Sequence, residues 1–206
     1  EQAYTLLNSE AAQKAFTLEG ESDTTRELYG QGYILNYRRQ PAAVGARLLM
    51  ARRLVDAGVR FVSVDYGGWD NHKSIRDAYL DKGPALDHAI AGLISDLDQR
   101  GMLDETLVVI MGEMGRTPNI NAKAGRDHWP QCGFSLLFGG GTKAGYLLGK
   151  TDKHARYPTE RPVSAGDMAA TIYQLLGVDW KMTVPDLSNR PIHISHGGQP
   201  VHEVIA

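Results

Sequence analysis

The segment from Leu107 to Arg116, with the sequence LVVIMGEMGR, decides the predicted fold. Its first half, Leu107 to Met111, is an uninterrupted apolar run of strand length, which is typical of a strand buried on both faces. The run ends directly at Gly112, and the glycines on both sides of Glu113 allow the backbone to approach a ligand closely. The segment therefore predicts a buried strand with polar residues at its carboxyl end.

The elements around this strand alternate between helix and strand. Apolar residues at helical spacing predict two helices, and β-branched and aromatic runs predict two further strands. The helices are Ala42 to Ala57 and Ala85 to Gln99, and the strands are Phe61 to Val64 and Phe134 to Phe138. A last helix begins near Ser164, where Asp167 is spaced to complete a capping box. The order of these elements predicts an α/β fold with a largely parallel sheet and helices on both faces, as one domain over residues 1–206.

The composition of the chain excludes several classes of function. Its 22 basic and 24 acidic side chains give a net charge of −2, which predicts neither a nucleic-acid surface nor strong attraction to an anionic membrane. No apolar run approaches the length of about 18 residues that suggests a membrane span. The single cysteine, Cys132, excludes an intrachain disulfide, and we interpret it as a small buried hydrophobe.

Polar residues follow two of the predicted strands. Asp70 and His72 follow the strand at Phe61 to Val64, and Glu113 and Arg116 follow the apolar run quoted above. Neighbouring parallel strands would bring these loops to one edge of the sheet, where α/β proteins bind ligands. Side chains two apart on an extended segment share a face, so Asp70 and His72 are spaced to bind one ion. The alternative is a loop aspartate in an Asx-type turn beside an exposed histidine.

The residue types at these positions suit a cation. Carboxylate and imidazole together favour Zn²⁺ or Mn²⁺, whereas an all-oxygen subset would favour Ca²⁺ or Mg²⁺. His128 is a further candidate, because polar groups packed between Gly125 and Trp129 are seldom placed by packing alone. The alternative for His128 is an ion-paired loop capped by a buried tryptophan. Arg116 is either a surface charge or a group that recognises an oxyanion or phosphate.

The other histidines and a glycine triplet carry no predicted site. His88 lies beside the apolar stripe of a predicted helix. The remaining four histidines lie in loops and have no carboxylate at a spacing typical of a metal site; they are His154, His193, His196 and His202. The triplet Gly139 to Gly141 lacks the Gly-Lys-Ser/Thr ending of a phosphate loop, so it predicts a tight turn after a strand.

Four ordered motifs resemble the DUF1501 family, a bacterial family of unknown function placed among sulfatase-like and alkaline-phosphatase-like proteins. The motifs are GGWDNH at residues 67–72, MGEMGRTP at 111–118, GRDHWP at 125–130, and the stretch from Arg161 to Gly177. The resemblance implies a parallel sheet carrying one or two metal ions, held by Asp and His from loops after the strands, in an exported or periplasmic protein. In that superfamily the nucleophile comes from an early strand-to-helix turn, and no segment before residue 60 resembles such a turn. Either the chain is the C-terminal portion of a longer protein, or catalysis of that type is absent.

Carried over by position, the resemblance implies a set of metal ligands. Asp70 and His72 resemble two ligands of one ion, and His128 resembles the later histidine of that ion. Glu113 stands where an aspartate of a second ion is expected. Met114 stands where a histidine ligand normally follows, and because a thioether is a poor ligand for hard cations, we expect one ion at most. Zn²⁺ is favoured over Ca²⁺, Mg²⁺ and Mn²⁺ for such a site.

The function implied by the resemblance is metal-dependent hydrolysis of a small anionic ester, a phosphate or a sulfate. Arg116 would be the catalytic cation that stabilises developing negative charge. The alternative is a non-catalytic, degenerate sulfatase-like module that binds an anionic ligand or a protein partner. The absence of a histidine after Glu113 favours this alternative.

Overall fold

The structure, a computed structural model, describes residues 10–30 and 42–206 of the chain. The chain divides into two compact units. The first is formed by Glu1–Gly101 and Ile120–Arg126, and the second by Met102–Asn119 and Asp127–Ala206. Within the described residues no helix has both the length and the apolar character needed to cross a membrane, in agreement with the sequence.

The described part of the first unit is helical. Its helices are α1 (Glu10–Ala15), α2 (Asp23–Leu28), α3 (Ala42–Asp56) and α4 (Ile75–Gln99). The predicted helix from Ala42 to Ala57 is confirmed by α3. The core includes Val44 and Leu49 of α3 and Ala89 and Leu97 of α4, each at most 1% exposed. Burial of these apolar side chains between two amphipathic helices is the main source of stability for such an arrangement.

Helix α4 is longer than the sequence predicts. The expected start at Ala85 follows Pro84, which has no N–H to donate and usually marks a helix boundary. In the structure Pro84 lies inside the helix, which begins ten residues earlier at Ile75. The N–H groups of Ser74 and Ile75 donate to carbonyl oxygens of the loop at residues 120–126, at 3.1 and 2.9 Å. These bonds satisfy donors that a helix start leaves without intrahelical partners, and the sequence pattern does not reveal them.

The predicted strand at Phe61 to Val64 is wrong. These residues are not part of a β-ladder among the described residues. Phe61 is 73% exposed, whereas Val62 and Val64 are half-buried. Tyr66, two residues further, packs against the apolar cluster of α3 and α4. The β-branched residues therefore favour an extended segment with one face on the helices, but a ladder also needs a partner strand, which local sequence does not specify.

The described second unit contains four two-stranded sheets, one helix and short 3₁₀ turns. Its strands are β1 (Val108–Met111), β2 (Gly115–Arg116), β3 (His128–Trp129), β4 (Ser135–Phe138), β5 (Lys150–Thr151), β6 (Pro158–Glu160), β7 (Thr183–Pro185) and β8 (Pro191–His193). The pairs are β1 with β4, β2 with β3, β5 with β6, and β7 with β8, all antiparallel. The prediction of a largely parallel sheet with helices on both faces is therefore wrong.

The connection between β1 and β4 explains this error. Parallel neighbours usually require a helical crossover, but residues 112–134 contain no helix, so the chain returns antiparallel. The continuous apolar run of β1 was expected to be buried on both faces. Instead Met111 at its end is 54% exposed, and Leu136 of β4 is 41% exposed. Both predicted strands exist, but their pairing differs from the prediction.

Two local predictions for the second unit are confirmed. Gly139, Gly140 and Gly141 all have positive φ, and the Thr142 N–H closes a turn onto the Gly139 carbonyl at 3.0 Å. Helix α5 (Ala165–Leu175) begins with the predicted capping box, in which Ser164 and Asp167 each bond the other's backbone N–H. Both features depend on residues close in sequence, which is why the pattern predicts them.

Candidate metal centre

Asp70 and His72 lie side by side in the first unit. The His72 Nε2 and Asp70 Oδ1 atoms are 3.0 Å apart, and the two side chains are 46% and 61% exposed. Two ligand atoms of a tetrahedral Zn²⁺ site with bonds near 2.0–2.1 Å are about 3.3 Å apart. The pair therefore has nearly the separation of two ligands on one ion.

An aromatic cluster and a lysine hold the segment that precedes Asp70. The Trp69 ring makes edge contacts with Tyr66 and Tyr79, at centroid distances of 5.7 and 5.3 Å. The Lys82 ammonium lies 5.5 Å from the Trp69 ring and donates to the Gly67 and Gly68 carbonyls, at 2.9 and 2.6 Å. These contacts order the backbone that carries the carboxylate. The sequence pattern does not indicate a role for Lys82, because it predicts that helix α4 starts after this residue.

The loop at residues 120–126 holds the other side of the pair. The Arg126 N–H donates to the Asn71 carbonyl at 3.0 Å, so the loop is bonded to the residue between Asp70 and His72. Asn71, in turn, donates its own N–H to the Trp69 carbonyl at 2.9 Å. The backbone that carries Asp70 and His72 is thus held both by the segment before it and by the loop at residues 120–126.

His128 and Arg116 face each other in the second unit. Arg116 of β2 is the direct cross-strand partner of His128 in β3. Side chains directly opposite in an antiparallel pair lie on the same face, with Cβ atoms roughly 5 Å apart. His128 is exposed and Arg116 is half-buried. The structure therefore brings the predicted imidazole and guanidinium together, a pairing that the sequence analysis did not foresee.

Neighbouring contacts fix the β2–β3 pair. The Thr117 N–H donates to the Asp127 carbonyl at 2.9 Å, and the Asp127 N–H donates to the Thr117 hydroxyl at 3.0 Å. The indole of Trp129 donates to the Arg156 carbonyl at 2.6 Å and packs on the Tyr157 ring. Trp129 is half-buried, whereas the alternative interpretation of this loop expects a buried tryptophan.

The four predicted metal ligands all have exposed side chains. Asp70, His72 and His128 are exposed, and each offers one ligand atom, a carboxylate oxygen or a ring nitrogen. Glu113 lies in an exposed bend between β1 and β2 and is not among these candidate ligands in the part of the chain that the structure describes. Cys132, expected to be buried, is half-buried.

Comparison with known proteins identifies the family. Residues 1–205 match the DUF1501 family, described as a protein of unknown function. The chain belongs to the DUF1501 family. No curated protein and no solved structure matches it. The chemistry of this DUF1501 protein must therefore be argued from its own residues.

Proposed function

We propose that this DUF1501 protein is a divalent-metal-dependent hydrolase of phosphate or sulfate esters. The observation that carries the proposal is the 3.0 Å separation of His72 Nε2 and Asp70 Oδ1. In the proposal, His128 is the third ligand of the same ion. One carboxylate and two imidazoles are the donor set of a catalytic Zn²⁺ site, which is why Zn²⁺ is favoured over Mg²⁺, Ca²⁺ and Mn²⁺.

Chain connectivity supports His128 as the third ligand. The Arg126 N–H is bonded to the carbonyl of Asn71, the residue between Asp70 and His72. His128 follows Arg126 by two residues, which limits the distance between their Cα atoms to roughly 7 Å. A histidine side chain is long enough to span much of this distance between His128 and Arg126.

Arg116 gives the proposed site its charge for an anionic substrate. A bound divalent ion would polarise an ester oxygen. The guanidinium opposite His128 would add a fixed positive charge with planar donors that match the oxygens of a phosphate or sulfate group. Such preorganised charge stabilises negative charge that develops during hydrolysis.

Metal binding is the first test of the proposal. We expect the metal-free protein to bind one Zn²⁺ in calorimetry, and His128→Ala to weaken binding by at least the roughly 100-fold upper limit for replacing an outer-shell partner, since one of three ligands is lost. His154→Ala is the matched control, because His154 is also an exposed histidine of the second unit and its hydrogen bond to Asp152 uses only its backbone. Equal affinities in all three proteins, or no binding by the wild type, would refute the metal site.

Hydrolysis is the second test. With Zn²⁺ present, we expect turnover of p-nitrophenyl phosphate or p-nitrophenyl sulfate, and Arg116→Ala should lower kcat/KM by about tenfold or more without changing Zn²⁺ affinity. Arg156→Ala is the control, because its exposed side chain is not required for the Trp129 bond, which uses the Arg156 carbonyl.

The competing function is a non-catalytic module that binds an anion or a protein partner. Met114, 36% exposed, occupies the position after Glu113 where a second ion would need a histidine. One ion and no turnover of either ester in the hydrolysis test would favour this function over the hydrolase.

A further inference from the structure

Asn121 bonds the backbone of a proposed metal ligand. Its Nδ2 donates to the His72 carbonyl at 3.1 Å. Its Oδ1 accepts the N–H groups of Lys123 and Gly125, both at 2.9 Å. One amide side chain therefore shapes the loop at residues 120–126 and attaches this loop to His72.

Gly125 packs directly on the same peptide. A Cβ added to Gly125 would lie 2.0 Å from the His72 carbonyl carbon, 2.2 Å from its oxygen and 2.3 Å from the Lys73 nitrogen. Gly125 is buried, and its φ is not in the left-handed region. The position therefore requires glycine because of this close approach to the peptide, and any larger residue must displace the His72 backbone.

These contacts extend along the chain on both sides of His72. The Asn71 carbonyl accepts from the Arg126 N–H at 3.0 Å, and the N–H groups of Ser74 and Ile75 donate to the same loop. Two successive carbonyls, those of Asn71 and His72, are thus held by one loop. Fixing these peptides fixes the direction of the Cα–Cβ bond of His72, and this limits the positions that Nε2 can take relative to Asp70.

We infer that Asn121 and Gly125 are positioning residues for the metal site. The inference rests on the proposed function, since it takes His72 as a ligand. Neither residue offers a ligand to the ion. Both act through the backbone of His72, and groups that orient metal ligands in this way typically change metal affinity by about 10- to 100-fold when they are replaced.

The test compares two variants with two matched controls in the full chain. We expect Asn121→Ala and Gly125→Ala to weaken Zn²⁺ binding in calorimetry by about tenfold or more. The controls are Asn119→Ala, two residues away, which keeps the carbonyl that accepts from Thr117, and Gly83→Ala in α4, where an added Cβ meets nothing within 4 Å. Both controls should bind Zn²⁺ as the wild type does.

A spectroscopic measurement separates positioning from general destabilisation. In the Co²⁺-substituted proteins, the visible absorption bands report the coordination geometry, and we expect them to shift in Asn121→Ala and Gly125→Ala but not in the controls. Should Gly125→Ala fail to fold, Asn121→Ala alone decides the question. No Zn²⁺ binding by the wild type would refute the proposed function, and this inference with it. Tight wild-type binding with unchanged affinity and spectra in the variants would overturn the inference alone.

Discussion

Arg52→Ala should lower the free energy of unfolding of the first unit by about 3–5 kcal/mol, because it leaves two buried carboxylates without their cation. The Arg52 side chain is 2% exposed and lies between Glu21 and Asp96, whose side chains are 8% and 7% exposed. Its Nη2 is 2.9 Å from Glu21 Oε2, and its Nε is 2.8 Å from Asp96 Oδ2. Both distances are those of closely paired ionised groups.

Further contacts make the network around Arg52 sensitive to the loss of one member. The Tyr29 hydroxyl, on a side chain 1% exposed, donates to Asp96 Oδ2 at 2.9 Å. Arg100 Nε donates to Asp96 Oδ1 at 2.6 Å, and Arg53 pairs with Glu21. Removing Arg52 leaves Glu21 and Asp96 paired, among the described residues, only with Arg53 and Arg100, whose side chains are more exposed than that of Arg52. The two buried carboxylates then lack the buried cation between them. This loss costs more free energy of folding than an exposed ion pair contributes.

The matched control for Arg52→Ala is Lys14→Ala, measured by urea unfolding. Lys14 pairs with Glu10 on α1, where both side chains are more than 70% exposed. Exposed pairs of this kind contribute about 0–1 kcal/mol, so the control should leave the transition nearly unchanged. A loss of less than about 1 kcal/mol in Arg52→Ala would show that the network is not the stabilising element described here.

The same network predicts how stability depends on pH. Burial alone would raise the pKa of Glu21, but the hydrogen bonds and charges of Arg53 and Arg52 outweigh it and hold this pKa below 4.5. Since the folded pKa is depressed, the contribution of Glu21 is present above pH 4.5 and is lost as the pH falls below it. Burial and the Asp96 charge raise the pKa of Tyr29 above 10, so its contribution is lost as the pH rises beyond that value. Arg52→Ala should flatten the acid limb of this profile.

The parts of the fold that could be predicted are those set by local sequence. Helix α3 follows from apolar residues at helical spacing, and α5 follows from the Ser164–Asp167 capping box. The antiparallel pairing of β1 with β4 could not be predicted, because apolar runs specify strands but not their partners or directions. Likewise, the segment at Phe61 to Val64 has strand composition but no ladder among the described residues.

In the candidate site, too, the features set by residues close in sequence could be predicted, and those set by distant partners could not. Asp70 and His72 lie close together, as predicted, with His72 Nε2 3.0 Å from Asp70 Oδ1. The segment is not extended, however, because the Asn71 N–H bonds the Trp69 carbonyl and His72 lies in a bend. The cross-strand pairing of Arg116 with His128 depends on the register of β2 and β3, which spans a connection of eleven residues and was not foreseen. The role of Asn121 also depends on a distant partner, the His72 carbonyl. Polar residues often precede turns. The sequence around Asn121 therefore does not show which backbone group its side chain bonds.

Gly115→Ala should lower the free energy of unfolding of the second unit by about 3 kcal/mol, at the upper end of overpacking costs. A Cβ at Gly115 would lie 1.6 Å from the Cys132 carbonyl oxygen and 3.1 Å from that of Trp129. Both are backbone atoms, so no side-chain rotation relieves the overlap. The turn after β3 or the β2 strand must move, and either movement disturbs the pairing of Arg116 with His128.

Gly112→Ala is the matched control for Gly115→Ala, because it adds the same methyl group to the same short segment. The nearest atom to a Cβ at Gly112 is the Met114 carbonyl oxygen at 3.8 Å, an ordinary van der Waals contact. In urea unfolding we expect Gly112→Ala to stay within about 0.5 kcal/mol of the wild type, as a surface substitution does. The proposed hydrolysis of phosphate or sulfate esters should also fall in Gly115→Ala, because Arg116 is adjacent. If the two alanine variants unfold at the same urea concentration, the close approach of β2 to the turn at Cys132 is incorrect.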